Sequence, residues 1–263
     1  MFPSLLCPAL AAFFLTLSVA APNHQQIASQ APSQDPQAIS ILQQAINAMG
    51  NVPSDSAATG TVAITQGSTS QTATIQILTL GTSATSETIT SPTNQNVIVY
   101  SNGDAKETSG GQSVNPTLQL IVTDQCADFP LPLLSSFLAN PDESIHYVGL
   151  ETISGESVQH LQVWNTFASK PAILQPLAPF STRDLWFDST SGLLVKMAYT
   201  RRAGGGAVPG APVTVSYGSY QNVSGVLYPF QINKSFNGTP WQTIAIQNVS
   251  FNTGLTTAQF QTE

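Results

Sequence analysis

Short segments in which apolar and polar residues alternate run through most of the chain after residue 57, and they constrain its fold more than any other feature. Val62 and Ile64 alternate with small or polar residues, and Ala73, Ile75 and Ile77 do the same in the next segment. A period of two residues is typical of an antiparallel strand with one buried and one wet face. Because Gly, Ser, Asn and Pro separate the segments, the sequence predicts an antiparallel sheet of about a dozen short strands.

One of these segments carries a proline where a strand is expected. The stretch YGSYQNVSGVLYPFQI, residues 217–232, predicts a hairpin that turns at Ser224 and Gly225. Pro229 stands in the second strand of this hairpin, and a proline cannot donate a hydrogen bond to a neighbouring strand. Pro229 therefore predicts an edge strand or a bulge, in a sheet that is open or bent.

Two segments have the pattern of helices. In DPQAISILQQAINAMG, Asp35 is the expected cap, Pro36 suits the first helical position and Gly50 marks the end. The apolar residues of this segment recur at spacings of three and four, which predicts one buried face, formed by Ile39, Leu42, Ala45, Ile46 and Met49. A second, shorter helix is predicted to begin near Leu133, within FPLPLLSSFLA.

The first 20 residues predict a signal peptide, because an apolar run ends in the small residues SVA at positions 18–20. A retained membrane anchor is the alternative, but the run is short for a membrane span. Residues 21–34 are polar and contain prolines, which predicts a disordered leader. Residues 35–263 are predicted to form one domain, placed in the periplasm or secreted after cleavage.

The charge of the chain excludes some partners. Seven Lys and Arg residues against fourteen Asp and Glu residues give a net charge of −7, so nucleic acid and anionic lipid surfaces are not expected to bind electrostatically. If Cys7 leaves with the signal peptide, Cys126 is the remaining thiol and cannot form an internal disulfide. Cys126 is predicted to be a small buried apolar residue.

The sequence offers little that predicts catalysis. His146 and His160 stand on neighbouring predicted strands, with Asp142 and Glu143 close to the first. A metal site from these residues is conceivable, but histidines exposed on the wet face of the sheet are the more usual outcome. No nucleophile elbow and no phosphate-binding loop is present in the sequence. We therefore predict a protein that is not an enzyme, with no catalytic residues, metal or cofactor.

Three stretches in the second half of the chain resemble a known family. They are the hairpin LWFDSTSGLLVKM, the run YGSYQNVSGVLYPFQI and the terminal IAIQNVSFNTGLTTAQF, in which Val249, Phe251, Asn252, Leu255 and Phe260 match. Preceded by a secretory leader and a helix that ends in Met-Gly, this order of elements resembles the LolA/LolB-like superfamily, the periplasmic carriers of outer-membrane lipoproteins and their relatives.

The resemblance implies an α+β fold, in which a strongly curved antiparallel sheet forms an unclosed β-barrel of about 11–12 strands. Helices would cover its concave face and cap a hydrophobic cavity for acyl chains. An unclosed barrel also accommodates Pro229, since it keeps edges and needs bulges. The first helix would act as a lid through Ile39, Leu42, Ile46 and Met49.

Together, the resemblance and the alternation predict the residues that line this cavity. They are the inward-facing residues of the strands, namely Ile64, Ile75, Ile77, Val99, Leu185, Phe187, Val195, Met197, Tyr217 and Phe230. The implied function is a carrier or sensor that binds lipid or lipoprotein acyl chains as a monomer and meets a membrane-bound donor or acceptor protein. Two alternatives stay open at this point. Helices could fill the space, or the protein could be a secreted structural or interaction β-protein without a ligand cavity.

Overall fold

The computed structural model describes residues 31–114, 127–201 and 210–262. Within these three ranges, two α-helices, α1 (Pro36–Met49) and α2 (Pro130–Ala139), accompany thirteen strands. The strands are β1 (Asp55–Gln66), β2 (Thr69–Leu80), β3 (Ala84–Thr90), β4 (Gln95–Ser101), β5 (Asp104–Ser109), β6 (Gln112–Val114), β7 (Glu143–Ile153), β8 (Glu156–Asn165), β9 (Arg183–Asp188), β10 (Leu194–Arg201), β11 (Ala211–Val223), β12 (Val226–Phe236) and β13 (Thr239–Phe251). Two short 3₁₀ segments cover Ala172–Phe180 and Thr257–Gln259.

All thirteen strands form one antiparallel sheet in the order β6-β5-β4-β3-β2-β1-β13-β12-β11-β10-β9-β8-β7. Each strand pairs with the next along the chain, except for β6 and β7, which stand at opposite ends of the order. The last strand, β13, returns to pair with β1 and so joins the two halves. The order ends at β6 and β7, and the sheet does not close into a barrel. The predicted unclosed, mostly antiparallel fold is confirmed, with one strand more than the 11–12 expected.

Turn residues fix the hairpins where the sequence places them. Ser224 and Gly225 have φ values of 50° and 87°, and Asn237 and Gly238 have values of 51° and 75°. Two consecutive positive φ angles give the turn that matches the right-handed twist of the flanking strands. The predicted turn at Ser224 and Gly225 is therefore confirmed.

Pro229 does not lie on an edge strand, because β12 is flanked by β11 and β13. Its register explains how the proline fits. Pro229 pairs with Tyr220 of β11, whereas the pairing of β12 with β13 begins only at Gln231. Residues 226–229 of β12 therefore pair with β11 but not with β13. Because no hydrogen bond to β13 is formed there, the missing N–H of Pro229 costs none.

One ion pair shows how strongly the sheet bends. Lys234 of β12 and Glu87 of β3 are separated by three intervening strands. In a flat sheet these two strands would lie about 19 Å apart, since neighbouring strands are spaced by roughly 4.8 Å. The Lys234 Nζ nevertheless lies 3.0 Å from the Glu87 Oε2. Both side chains therefore point into a concave face whose walls turn toward each other.

The two helices pack on this concave side. Asp35 caps α1 by accepting a hydrogen bond from the Gln37 N–H, and Pro36 and Gly50 bound the helix as predicted. The helix α2 begins at Pro130, three residues before the predicted start, because proline is tolerated in the first helical turn. Buried residues of both helices belong to one hydrophobic core with the inward residues of the sheet.

The convex side of β2–β4 carries a second, smaller core. Val99, Ala84 and Phe260 are buried together there, and Leu78 and Leu255 pack against them. The C-terminal segment is held against the start of β1 by Asp55, whose carboxylate accepts hydrogen bonds from Thr253 and Gly254. Residues after β13 thus cover part of the outer face.

The described residues that precede α1 are hydrogen-bonded to β7. The Ile145 N–H donates to the Ser33 carbonyl, and the Asp35 N–H donates to the Ile145 carbonyl, which adds a short parallel bridge to β7. The predicted signal peptide, most of the predicted leader and Cys126 lie outside the described residues. None of the described helices is long and apolar enough to cross a membrane.

Candidate functional site

An open cavity lies on the concave face where β1 ends and β2 begins. We call it the distal cavity, because no residue of α1 or α2 contributes to its wall. Its volume is about 540 Å³, within the range of roughly 300–1,000 Å³ typical of ligand pockets. Three apolar residues and eight uncharged polar residues line it: Ile64, Ile89 and Trp241, with Gln66, Thr69, Gln71, Ser91, Thr93, Asn94, Asn96 and Gln242.

Strand register explains why these residues meet. Ile64 of β1 is the partner of both Gln71 of β2 and Gln242 of β13, so the three side chains share one face. Ile89 of β3 pairs with Asn96 of β4 on the same face. The concave face is apolar toward its centre and becomes polar toward the ends of the strands, which gives the cavity a mixed wall.

A second cavity of about 490 Å³ lies at the opposite end, between α2 and the loops that follow α1 and β2. Its wall includes Pro132 and Ala139 of α2, together with Val52 and Thr82 from the loops. We call it the helix-side cavity. It lies at the rim of the fold, whereas the distal cavity opens onto the inner face of the sheet.

A buried charge cluster stands between the distal cavity and the core. It consists of Glu87, Asp128 and Lys234, and the Lys234 Nζ lies 3.0 Å from the Glu87 Oε2 and 2.6 Å from the Asp128 Oδ1. Gln242, which lines the cavity, lies beside the Glu87 side chain and helps to lower its pKa. The cluster thus forms a polar layer just behind the cavity wall.

The electrostatics of this cluster follow from its burial. Burial and the negative charge of Glu87 together raise the pKa of Asp128 to about 7, against the attraction of Lys234. Burial also opposes ionisation of Glu87, but Lys234 and hydrogen bonds from Asp128 and Gln242 hold its pKa below the usual value. Lys234 and Glu87 therefore form an ion pair at neutral pH, while Asp128 titrates near neutrality.

The residues just before α2, 127–129, run through the concave interior, and we call them the inner segment. The Tyr217 hydroxyl donates a hydrogen bond of 2.6 Å to the Ala127 carbonyl. Asp128 binds Lys234, and the Phe129 ring stacks on Tyr228 with centroids 4.7 Å apart. Each residue of the segment thus has its own attachment to the sheet, and the segment occupies space that the sequence predicted for acyl chains.

The predicted lining residues are distributed over four environments. Ile64 lines the distal cavity. Phe230 is half-buried and packs against the main core. Six others are buried in that core, namely Ile75, Ile77, Leu185, Phe187, Met197 and Tyr217. Val195 lies at a bulge opposite β9 and is half-buried. Val99 points to the convex face, because its register partner Ser86 precedes the inward-facing Glu87 by one residue.

The predicted lid residues also belong to the core. Leu42 and Met49 are fully buried, and Ile39 and Ile46 pack against the same cluster half-buried. Sequence reasoning missed Ile89, Trp241 and the amide residues of the distal cavity. Alternation through Glu87 and Ile89 was available as a signal for the inward face of β3. The sequence did not indicate that the Asn and Gln residues line a cavity, because polar residues at strand ends are normally exposed to solvent.

The two histidines lie on the convex side and do not form a metal site. The His160 ring bridges two carboxylates, with its Nδ1 2.6 Å from Glu151 and its Nε2 3.0 Å from Asp184. His146 stacks on Trp164 instead. Within residues 31–114, 127–201 and 210–262, no group of three or more His, Cys, Asp or Glu side chains could hold a metal ion. Asp142 accepts hydrogen bonds from Ser169 in a loop.

A buried carboxyl near β7 makes stability depend on pH. Burial raises the pKa of Glu143 to about 7, against the attraction of Arg183 and a hydrogen bond from Asn140. Since the folded state then holds a proton that the unfolded chain releases above its ordinary pKa of 4.5, the free energy of unfolding falls as pH rises from 5 to 7. We expect a loss of up to about 3 kcal/mol from this group.

Urea unfolding at pH 5 and pH 8 checks this prediction, with the higher midpoint expected at pH 5. The pKa of Asp128 is also raised, so its ionisation lowers the free energy of unfolding over the same pH range. The pKa of Glu87 is lowered, so Glu87 titrates below pH 5 and does not contribute to the difference. The variant Glu143→Gln should have a smaller difference between the two midpoints. An unchanged difference in that variant would show that Glu143 is ionised in the folded state at both pH values.

Comparison with known proteins identifies the fold. No family model matches the chain, and no curated protein sequence matches it significantly. Its structure is similar to a LolA superfamily protein from Nitrosomonas europaea, with a TM-score of 0.56, 14% identity, and coverage of 85% of this chain and 97% of the other. A putative outer membrane lipoprotein-sorting protein domain from Vibrio parahaemolyticus gives a TM-score of 0.58 at 11% identity, covering 86% and 96%.

A third structure with this fold is a DUF1329 family protein from Desulfovibrio piger, with a TM-score of 0.55, 12% identity, and coverage of 85% and 97%. The resemblance that the sequence predicted is confirmed at the level of the fold. The chain has the LolA-like fold over 85–86% of its length.

Proposed function

We propose that the protein binds the acyl chain of a lipid or lipoprotein in the distal cavity and acts outside the cytoplasm, in the periplasm or after secretion, as a carrier or sensor. The observation that carries the proposal is the distal cavity itself, with a volume of about 540 Å³ on the concave face and apolar side chains from Ile64, Ile89 and Trp241 in its wall. The fold shared with a putative lipoprotein-sorting domain supports it.

Binding of an acyl chain requires few polar contacts. Each methylene removed from water contributes about 0.8 kcal/mol, so an acyl chain that covers the side chains of Ile64 and Ile89 gains affinity with its length. Because the inner segment occupies the centre of the concave face, the chain lies near the strand ends and leaves the headgroup close to solvent. A membrane-bound donor or acceptor protein could then reach the headgroup.

A tryptophan in the cavity wall tests the proposal. In the variant Ile64→Trp, the larger side chain takes space from the ligand. Losing burial of about two methylenes weakens binding more than tenfold, since this costs roughly 1.6 kcal/mol. The measurement is a titration of delipidated protein with a fluorescent fatty acid, combined with mass spectrometry of lipid that copurifies with the untreated protein.

The matched control is Thr72→Trp on the neighbouring strand. Thr72 is exposed and faces the opposite side of the sheet from Gln71 and the cavity. This variant should bind the fatty acid as the unmodified protein does. Equal weakening in both variants, or no binding and no copurified lipid in the unmodified protein, would refute the proposal.

A structural or interaction role is the second candidate, and the edge of β7 beyond the bridge at Ile145 favours it, because no strand of the described residues pairs with it there. Val148 and Leu150 are 53% and 62% exposed there, next to a register shift between Tyr147 and Gly149. An exposed edge strand with apolar side chains can pair with another chain. Light scattering across a range of concentrations separates the two functions, because a carrier is expected to remain a monomer, whereas edge pairing yields assemblies that grow with concentration.

A further inference from the structure

The wall of the distal cavity is polar but uncharged among the residues that the structure describes. Eight of its eleven lining side chains are amides or hydroxyls. An amide side chain both donates and accepts hydrogen bonds, and a hydroxyl group does the same. Such a wall is complementary to a ligand with several hydroxyl groups, whereas a plain acyl chain would leave most of its hydrogen-bonding groups unused.

Gln242 gives this complementarity a specific anchor. Its side chain is 5% exposed, and its Oε1 has no hydrogen-bond partner among the described residues. The Gln242 amide also lies beside Glu87 of the charge cluster. A buried acceptor without a partner is uncommon in folded proteins. A ligand hydroxyl in the cavity would provide the missing donor once the amide rotates toward it.

The surrounding charges disfavour a phosphorylated ligand. Lys234 lies behind the wall, but Glu87 and Asp128 at 3.0 Å and 2.6 Å already neutralise it. At the rim, the Arg201 guanidinium lies over the Trp241 ring, 5.6 Å from its centroid, and is not part of the wall. Among the residues that the structure describes, the wall contains no cation, so a phosphate in the cavity would lose hydration without a compensating charge. It would also approach the Glu87 carboxylate.

We propose that the distal cavity selects amphiphiles whose headgroup is uncharged and polyhydroxylated, such as a sugar or glycerol, over those with a phosphorylated headgroup. This inference rests on the proposed function, since the acyl chain lies against Ile64 and Ile89 while the headgroup meets the amides. Trp241 offers a flat apolar surface beside them, against which the less polar face of a sugar ring can pack.

The test uses probes with the same twelve-carbon chain and different headgroups. Dodecyl maltoside, dodecyl phosphate and dodecanoate are titrated into the delipidated protein by calorimetry, below the concentrations at which they form micelles, and maltose alone serves as a fourth probe. We expect dodecyl maltoside to bind at least tenfold more tightly than dodecyl phosphate. Equal or tighter binding of dodecyl phosphate would overturn the inference.

Two glutamines of β2 provide matched variants. Gln71 lines the cavity, whereas Gln76 is exposed on the opposite face of the same strand. Gln71→Ala should weaken dodecyl maltoside binding at least threefold and by a larger factor than dodecanoate binding, and Gln76→Ala should change neither. Gln242→Leu is expected to have a larger effect, and Gln71→Ala keeps the test decisive if that buried substitution prevents folding. Equal maltoside affinities for Gln71→Ala and Gln76→Ala would overturn the inference.

The outcomes separate this inference from the proposed function. Binding of dodecanoate without a preference for maltoside overturns the headgroup selection alone. If maltose binds as tightly as dodecyl maltoside, the preference for a polyhydroxylated group stands, and the proposal that the cavity binds an acyl chain is refuted. Failure of every probe to bind overturns both.

Discussion

Replacing Lys234 with methionine is expected to lower the free energy of unfolding by about 3–5 kcal/mol, because removing one partner of a buried ion pair leaves an uncompensated charge. Two carboxyl groups depend on this lysine, Glu87 at 3.0 Å and Asp128 at 2.6 Å. Without Lys234, burial and the mutual repulsion of the two carboxylates would destabilise the folded state, and no nearby cation among the described residues would offset them. Chemical unfolding followed by circular dichroism measures the loss.

The pH dependence of this variant has a defined sign. Without Lys234, the pKa values of Glu87 and Asp128 rise, and the folded state holds protons that the unfolded chain releases. The destabilisation is therefore expected to be larger at pH 8 than at pH 5. The control is the triple variant Glu87→Gln, Asp128→Asn, Lys234→Met, which should recover most of the lost stability because no buried charge remains. A loss below about 1 kcal/mol in the single variant would show that the carboxyl groups reach water.

The second large effect is expected from Phe129→Ala in the inner segment. Phe129 is 1% exposed and stacks on Tyr228, and its ring centroid lies 5.8 Å from that of Phe251. Removing a buried aromatic ring costs about 3–5 kcal/mol, since transfer free energy is lost and a cavity is left. Unfolding in urea measures the change.

Phe236→Ala is the matched control for this prediction. Phe236 is 41% exposed at the end of β12, where it contacts Trp241 edge-on, so its removal should cost about 1 kcal/mol or less. If the two variants lost similar stability, Phe129 would not be packed between Tyr228 and Phe251, and the inner segment would not occupy the concave interior.

Local signals in the sequence determined the elements of the fold. The limits of α1 follow from Asp35, Pro36 and Gly50, because capping and the conformations of proline and glycine act within one helical turn. The hairpin at Ser224 and Gly225 follows from residues that adopt positive φ, and the alternation of Ala73, Ile75 and Ile77 fixed which face of β2 is buried.

The candidate site was only partly predictable. Ile64 was identified as a lining residue, whereas Val99 lies on the convex face under Phe260. Both stand in apolar alternating strands, and alternation by itself does not say which side of a sheet is concave. The answer depends on the C-terminal segment, which covers β4 from outside and is distant in sequence.

The strands, their turns and the first helix could be read from the residues alone, because each depends on interactions within a few positions, and their order carried the resemblance to the LolA-like fold. The contact of Lys234 with Glu87 across three intervening strands, the position of the inner segment at the centre of the concave face and the open volume beside Ile64 and Gln242 became visible only in the folded chain. Curvature accumulates over many strands, and the space left under a curved sheet depends on every side chain that packs against it.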